Sequence, residues 1–359
     1  MRIVSTESQL KSIEAYLQES VAPRAEEIDR SEEALGTVLQ RMGDRSLLAL
    51  KVPQQLGGRG WDELNYRRFQ VLMARYSGAL TFLQTQHQSA ASWLAKSDNL
   101  TLQQEYLPQM GNGKKLVGVG FSHLRRRGKP MVEASSVAAG YVLNGAIPWI
   151  TGFGFFDSFI VGATLTDGSE LYGMLPLEDA IQPLGGKLSF SKPMALIAIS
   201  ATNTVSGKLE NWLLQRDRIV SIKPPGSIHR SSRRNILHHG FYALGCAYGS
   251  LDVLQAVGEK KQLSFLQESR EYLLEKVQKC DRAMMAAVSD ETITYQDKLQ
   301  FRAQAIKLAA RCSHGAVIAT SGGANALNSA AGRVYREALL FSVSGQTTDV
   351  MEASIKNIL

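Results

Sequence analysis

The sequence holds few of the residues from which disulfide frameworks, metal centres and membrane spans are built. Its 359 residues include three cysteines, Cys246, Cys280 and Cys312, an odd number, widely spaced and without a CxxC pair. Neither a disulfide framework nor a cysteine zinc site is expected, and all three read as buried, reduced thiols. The six histidines show no ligand spacing, since the neighbours His238 and His239 point about 100° apart on a helix. HExxH, GxxxxGK[ST], GxSxG and calcium-loop patterns are absent, so no metal is expected, and P-loop and nucleophile-elbow chemistry are set aside. No apolar run reaches the ~18 residues that span a bilayer. The opening MRIVSTESQLKSIEAYL lacks the basic, apolar, small-residue order of a secretory signal. A cytoplasmic protein with no membrane span is the expectation.

Charge of either sign is also modest. Forty basic against 33 acidic residues give a formal charge of +7, without the basic stripe and interleaved aromatics that nucleic acid requires. Two local clusters stand out, Arg125, Arg126 and Arg127, then Arg230, Arg233 and Arg234. Each reads as a solvated loop or as a contact for a phosphate-bearing ligand. The 44% hydrophobic and 20% charged content predicts a substantial core and no disorder.

Apolar residues from Glu7 to about Lys51 recur at three- and four-residue steps (Leu10, Ile13, Leu17, Val21, then Leu35, Val38, Leu39, Met42). That spacing predicts helices, interrupted at Pro23, which lacks the donor an interior turn needs. VPQQLGGRGWDEL breaks the pattern; helices are expected again over Trp61–Tyr76, Ala79–Lys96 and Leu102–Met110. After Gly113, short runs such as KLVGVGFS, GYVLNG, DSFIVGATL and ELYGMLPL are β-branched and aromatic, bounded by Gly, Asn or Asp. A small antiparallel barrel or sandwich fits them. Helical spacing returns near 235–258, 262–289 and 294–321, with a shorter stretch after Thr347. The domains are expected at 1–112 (helical), 113–222 (β) and 223–359 (helical bundle). Asn144-Gly145 reads as a type I′ hairpin turn, presenting Trp149, Ile150 and Thr151 on the following strand.

Five segments in order resemble the acyl-CoA dehydrogenase family. VAPRAEEIDR (21–30) is similar to its first helix, and LLALKVPQQLGGRGWDELNY (47–66) to its VPEEYGGxGxD turn. YVLNGAIPWITG (141–152) is similar to WxLNGxKxWITN, LGCAYGSLDVL (244–254) to the first long bundle helix, and SGGANALNSAAGRVYREA (321–338) to GGxGY...ERxxRDA. The resemblance implies an α+β fold with an N-terminal all-helical domain, a middle antiparallel β-barrel domain and a C-terminal four-helix bundle. It also implies an FAD-dependent oxidoreductase acting on a small molecule such as an acyl-CoA. A homo-oligomer, dimer or tetramer, and transfer of electrons to an electron-transferring flavoprotein are further implications.

By the same resemblance, Trp149 packs on the isoalloxazine, with Ile150 beside it, and Thr151 bonds near its reactive nitrogen. A Trp in the barrel core with a surface Thr is the structural alternative. Phe121 and Ser122 of GFSHL stand in for a strand meeting the flavin pyrimidine edge. Gly128 is the one residue kept from a GxGSD phosphate loop that here reads RRRGK, whose arginines either neutralise pyrophosphate or merely cover the loop. EKKQLSF (259–265) replaces ERxQFGKPI, so Lys260 stands for the arginine and the Gly-Lys-Pro-Ile portion is deleted. Gly322 and Gly323 read as a close approach for the adenosine half, or as a helix end.

The family's catalytic Glu has no counterpart. The YEGT position is Ser344, or Gly345 without a gap; the alternative position in the first bundle helix, counted back from Gly245, is Asn235. His238 and His239, one turn beyond Asn235 on the same expected helix, and His87 in TQHQSAASW are the substitute candidates, each also readable as a hydrogen-bonded core histidine. Asp349 and Glu352 follow the Ser344 segment out of register. His87 motivates a flavin monooxygenase alternative, and the combined losses motivate a non-catalytic binding or assembly module.

Overall fold

The computed structural model of the chain describes residues 6–358; the first five residues, on which the signal-sequence expectation partly rests, lie outside them. Helix α1 (Thr6–Tyr16) turns its apolar face inward through Leu10 and Ile13. A wide turn at Leu17–Val21 and a tight one at Ala22–Arg24, which accommodates Pro23, lead to the short α2 (Ala25–Ile28). The interruption expected at Pro23 is therefore present. The next helices start where a short polar side chain accepts from an otherwise orphaned N–H: Ser31 before α3 (Glu32–Asp44), Asp62 before α4 (Glu63–Tyr76), Ser77 before α5 (Gly78–Leu94) and Asn99 before α6 (Leu100–Met110).

The middle region is one nine-stranded sheet. Its strands are β1 (Val117–Gly120), β2 (Val132–Val137), β3 (Gly140–Ile150), β4 (Ser158–Leu165), β5 (Glu170–Pro176), β6 (Ala180–Ile181), β7 (Lys187–Phe190), β8 (Val205–Gln215) and β9 (Ile219–Lys223). They run β6-β7-β8-β3-β2-β4-β5-β9, with β1 beside β4. Most neighbours are antiparallel, as expected, while β1 and β2 each pair with β4 in parallel, so the sheet is mixed.

One local expectation fails. Asn144-Gly145 is not a hairpin turn; it lies inside β3 at a bulge opposite β8, and the β2–β3 turn falls between Val137 and Gly140. Gly145 has φ 136°, and a Cβ there would stand 2.0 Å from Met131 O. Asn144 Oδ1 accepts from Asn211 N at 2.8 Å, bridging to β8. The pair thus serves a bulge, which needs the same backbone freedom as a hairpin turn.

The C-terminal helices are α7 (Ser227–Arg234), α8 (His238–Lys261), α9 (Ser264–Ser289), α10 (Tyr295–Thr320), α11 (Ala330–Val343) and α12 (Thr348–Ile358). The helix expected from residue 235 begins instead at His238, after a break at Asn235–Leu237 that follows α7. Helix α8 lies hard against α4, because Gly245 and Gly249 present no side chain: a Cβ would meet Val71 O at 2.4 Å and Arg75 O at 2.3 Å. Arg75 then reaches Asp252 with two hydrogen bonds of 2.7 and 2.9 Å. All three cysteines are buried and free. No helix among the described residues is long and apolar enough to cross a membrane.

Three parts of the chain meet at α11. The buried Arg333 Nη1 donates to both oxygens of the buried Glu337 at 2.9 Å, and its Nε to Glu26 at 3.2 Å. Glu337 also accepts from Gly78 N at 2.9 Å. Arg336 donates to Asp29 at 2.8 Å, and Asp29 accepts from Ile199 N of the β region at 3.0 Å. Removing one member of such a pair strands a buried charge. Glu337→Ala should therefore lower the unfolding free energy by about 3–5 kcal/mol, read from urea denaturation curves of the purified chain.

Candidate functional site

On the β side, the residues expected to meet a ligand divide into two groups. The Ser122–Arg125 turn follows β1, and the end of β1 abuts the end of β3, since a Cβ on Gly120 would lie 3.1 Å from Ile150. At this edge the Trp149 indole is 48% exposed and Ser122 is exposed; further along the loop Gly128, with φ 98°, has open space around it. Their neighbours are committed to packing. Phe121 is buried against Trp93 and Tyr172, with ring centroids 5.4 and 5.5 Å away. Ile150 is fully buried in the core, which corrects its reading as a ligand contact. The buried Thr151 hydroxyl lies 2.9 Å from that of Thr204.

Lys260, Gly322 and Gly323 lie at the far end of α8 from His238 and His239. A helix of 24 residues is about 36 Å long, so these groups do not line one site within a single chain. Nor is Lys260 the cation that meets the glycine turn: the next residue, Lys261, donates to Ala319 O at 2.6 Å and lies 3.4 Å from Ser321 Oγ. The turn Ser321–Asn325 leaves open space beyond Gly322.

The first turn of α8 carries the densest group of ionisable side chains. His238 Nε2 is 3.1 Å from Glu63 Oε1, and Lys51 and Arg67 bind the same carboxylate, Arg67 Nε at 2.7 Å. His239 faces the other way: Gly345, with φ 59°, is pressed so closely on its ring that a Cβ would lie 2.4 Å from it. Behind that turn Arg302 of α10 donates to Ile236 O, Ser344 O and Gly345 O. His239 thus sits against the Ser344–Gly345 turn, a contact that counting back to Asn235 misses. Asn235 is exposed at the end of α7 and bonds Ser231. Ser344 donates its hydroxyl to Leu340 O. Asp349 accepts from Tyr295 and Glu352 pairs with Lys356.

Similarity to known proteins gives the same picture. Residues 5–114 match the family model described as acyl-CoA dehydrogenase, N-terminal domain. Isovaleryl-CoA dehydrogenase of Solanum tuberosum is 24% identical over 380 residues, covering 96% of this chain and 88% of that protein. Three further relatives match over less than half of their own length. Butyryl-CoA dehydrogenase from Megasphaera elsdenii superposes with a TM-score of 0.75 at 16% identity, over 100% of this chain and 99% of that one. A chain from a structure described as the electron transferring flavoprotein of Acidaminococcus fermentans does so with 0.80 at 17% identity, over 100% and 99%. The first third of the chain matches the acyl-CoA dehydrogenase N-terminal domain, and the whole chain has the acyl-CoA dehydrogenase fold.

The electrostatics of the α8 cluster run against simple base chemistry. Burial would raise the Glu63 carboxyl, but the His238 hydrogen bond and the charge of Arg67 hold it far below the usual carboxylate range. Burial and Arg67 push His238 down despite Glu63. Burial, then Arg302 and Arg125, keep His239 neutral well below the ordinary imidazole value. Sequence reasoning overlooked Glu63, Arg67 and Arg302, since a lone acid or cation on an amphipathic helix carries no signal until the helices are assembled.

His87 is a structural residue. Its Nδ1 accepts from Val117 N at 3.0 Å and its Nε2 lies 3.0 Å from Met110 O, joining α5, α6 and β1 with both nitrogens occupied. Burial lowers its pKa to about 4, so between roughly pH 6.5 and 4 the unfolded imidazole takes a proton that the folded one refuses. Stability of this acyl-CoA dehydrogenase homologue should thus fall as pH drops through that window, by up to about 1.4 kcal/mol per pH unit from this histidine. Urea midpoints measured from pH 7 to 4.5 should show the slope, and His87→Gln should reduce it.

Proposed function

We propose that this chain is an FAD-dependent oxidoreductase acting on an acyl-CoA thioester. The carrying observation is the half-exposed Trp149 indole at the edge shared by β1 and β3, in a chain with the acyl-CoA dehydrogenase fold. A large apolar face left open near exposed Ser122, in a chain whose following loop leaves the Gly128 backbone unobstructed, fits a planar, phosphate-bearing ligand. In this reading Trp149 supports the ring, Ser122 and the backbone around it meet its polar edge, and Thr151, already bonded to Thr204, keeps a lone pair to offer. When bound, FAD supplies hydride acceptance from the substrate. His239 is the ionisable group against the Ser344–Gly345 turn, but its lowered basicity leaves the proton acceptor unassigned.

A homo-oligomer is part of the proposal, supported by exposed Leu339 and Val343 on α11 and Met351 and Ile355 on α12. An electron-transferring flavoprotein as electron acceptor extends it, supported by the likeness to acyl-CoA dehydrogenases. The monooxygenase alternative loses its motive, because His87 has no free nitrogen. A non-catalytic module keeps one specific support: no carboxylate occupies the base positions, and the Ser344 hydroxyl is spent on Leu340 O.

The experiment is an absorbance titration of the purified protein with FAD, followed by anaerobic addition of a panel of acyl-CoAs. Saturable uptake is expected, weakened at least about tenfold in Trp149→Ala from loss of aromatic contact, with bleaching by one acyl-CoA class. A chain that takes up no FAD overturns the oxidoreductase reading. Bound flavin that no acyl-CoA reduces leaves the non-catalytic one.

A further inference from the structure

The Thr151 hydroxyl is one end of a buried ladder of three threonines. Ile150 of β3 pairs with Val205 of β8, so the antiparallel register sets Thr151, just past β3, opposite Thr204, just before β8. Their hydroxyl oxygens are 2.9 Å apart, and Thr204 Oγ1 lies 3.5 Å from Thr202 Oγ1. Thr202 Oγ1 in turn donates to Ile199 O at 2.8 Å. All three threonines are buried, so their hydroxyls answer to one another rather than to water.

The backbone that carries the ladder is pinned. Gly152 N donates to Thr202 O at 2.9 Å, Phe153 N to Asn203 O at 3.2 Å, and Met194 N to Thr204 O at 2.8 Å. Ile199, at the far end, has φ 54° and ψ 30°, a left-handed conformation that β-branched residues avoid and that persists only where the surroundings fix it. Asp29 fixes it here: its Oδ1 accepts from Ile199 N at 3.0 Å and its O from Ala201 N at 3.2 Å, while Arg336 of α11 holds its other carboxylate oxygen at 2.8 Å.

A hydroxyl has one proton to donate and two lone pairs, whereas a carbonyl only accepts. Thr202 spends its proton on Ile199 O, so toward Thr204 it offers a lone pair alone. With Thr204 donating to Thr202 and Thr151 donating to Thr204, every proton in the ladder is used. The reverse order leaves the Thr151 proton without an acceptor in the ladder, and a stranded buried donor costs more than a long hydrogen bond loses.

We propose that Thr202 and Thr204 are positioning residues that make the Thr151 hydroxyl a hydrogen-bond acceptor, so that it selects a ligand N–H over a ligand lone pair. The inference rests on the reading of Thr151 as a ligand contact. Of the two redox forms of FAD, only the reduced one carries a proton on the reactive ring nitrogen, so the ladder favours that form.

Neutron diffraction from deuterium-exchanged crystals of the full chain, without added FAD, reads the ladder directly. The Thr151 deuteron is expected on the line to Thr204 and the Thr204 deuteron on the line to Thr202; either one reversed overturns the proposal. The second measurement is the two-electron midpoint potential of bound FAD. Thr204→Val keeps the shape, removes the acceptor of the Thr151 proton and frees that proton for an unprotonated ring nitrogen. The ratio of reduced to oxidised affinity should fall about tenfold, which lowers the potential by about 30 mV. Thr204→Ser, which keeps the hydroxyl, should restore the wild-type value. Circular dichroism checks folding, and Thr202→Val, which shifts the potential the same way, replaces Thr204→Val if the latter unfolds. An unchanged potential in a folded valine variant, or one that Thr204→Ser also lowers, overturns the proposal. If the chain takes up no FAD, the oxidoreductase reading falls and the deuteron positions alone decide the ladder.

Discussion

The architecture depends on the buried pairing of Arg333 with Glu337 on α11. That one turn of helix ties Glu26 from the first helices, Gly78 at the head of α5 and, through Arg336 and Asp29, Ile199 of the β region. Buried ion pairs contribute little net stability compared with apolar groups of the same volume. Their effect here is geometric: a carboxylate with two oxygens and a guanidinium with a planar fork accept few alternative arrangements. Helical and β layers that apolar contact alone would let slide are held in one register. The VYREA segment therefore reads in the sequence as a family resemblance and in the structure as a joint.

Where one residue's spacing determined the outcome, the sequence was easy to read. Three- and four-residue apolar steps located the long helices, and β-branched and aromatic runs bounded by Gly, Asn or Asp located the strands, because both signals are local. Asn144-Gly145 failed for an instructive reason: a bulge and a hairpin turn make the same demand on φ, and the difference lies in Met131 and Asn211, far off along the chain. The break at Asn235–Leu237 was hidden because Asn235, His238 and His239 all fit a continued helical pattern. No proline or glycine marked the boundary.

The site was legible as segments and not as partners. Trp149 and Ser122 are exposed, while Ile150 and Phe121 face the core. Strand alternation sends neighbouring side chains to opposite faces, so a motif of consecutive residues never supplies consecutive contacts. His87 illustrates the same limit. A histidine in a helix is equally apt for chemistry and for bridging two backbone groups, and only Met110 and Val117 decide between them. Arg302 enters the interior because Gly240 makes way for it, a Cβ there standing 3.4 Å from Arg302 Cγ and 2.7 Å from Met284.

The connection between α8 and α9 is two residues long, with Gln262 at φ 55° closing the first helix and Leu263 opening the second. A hairpin that tight sends the chain straight back along its own path, so this corner of the molecule offers no arm with which to clasp a neighbour. Contact with a neighbour at this corner falls to helix flanks meeting side by side, an arrangement whose strength grows with the flatness and size of those flanks rather than with the reach of a single loop.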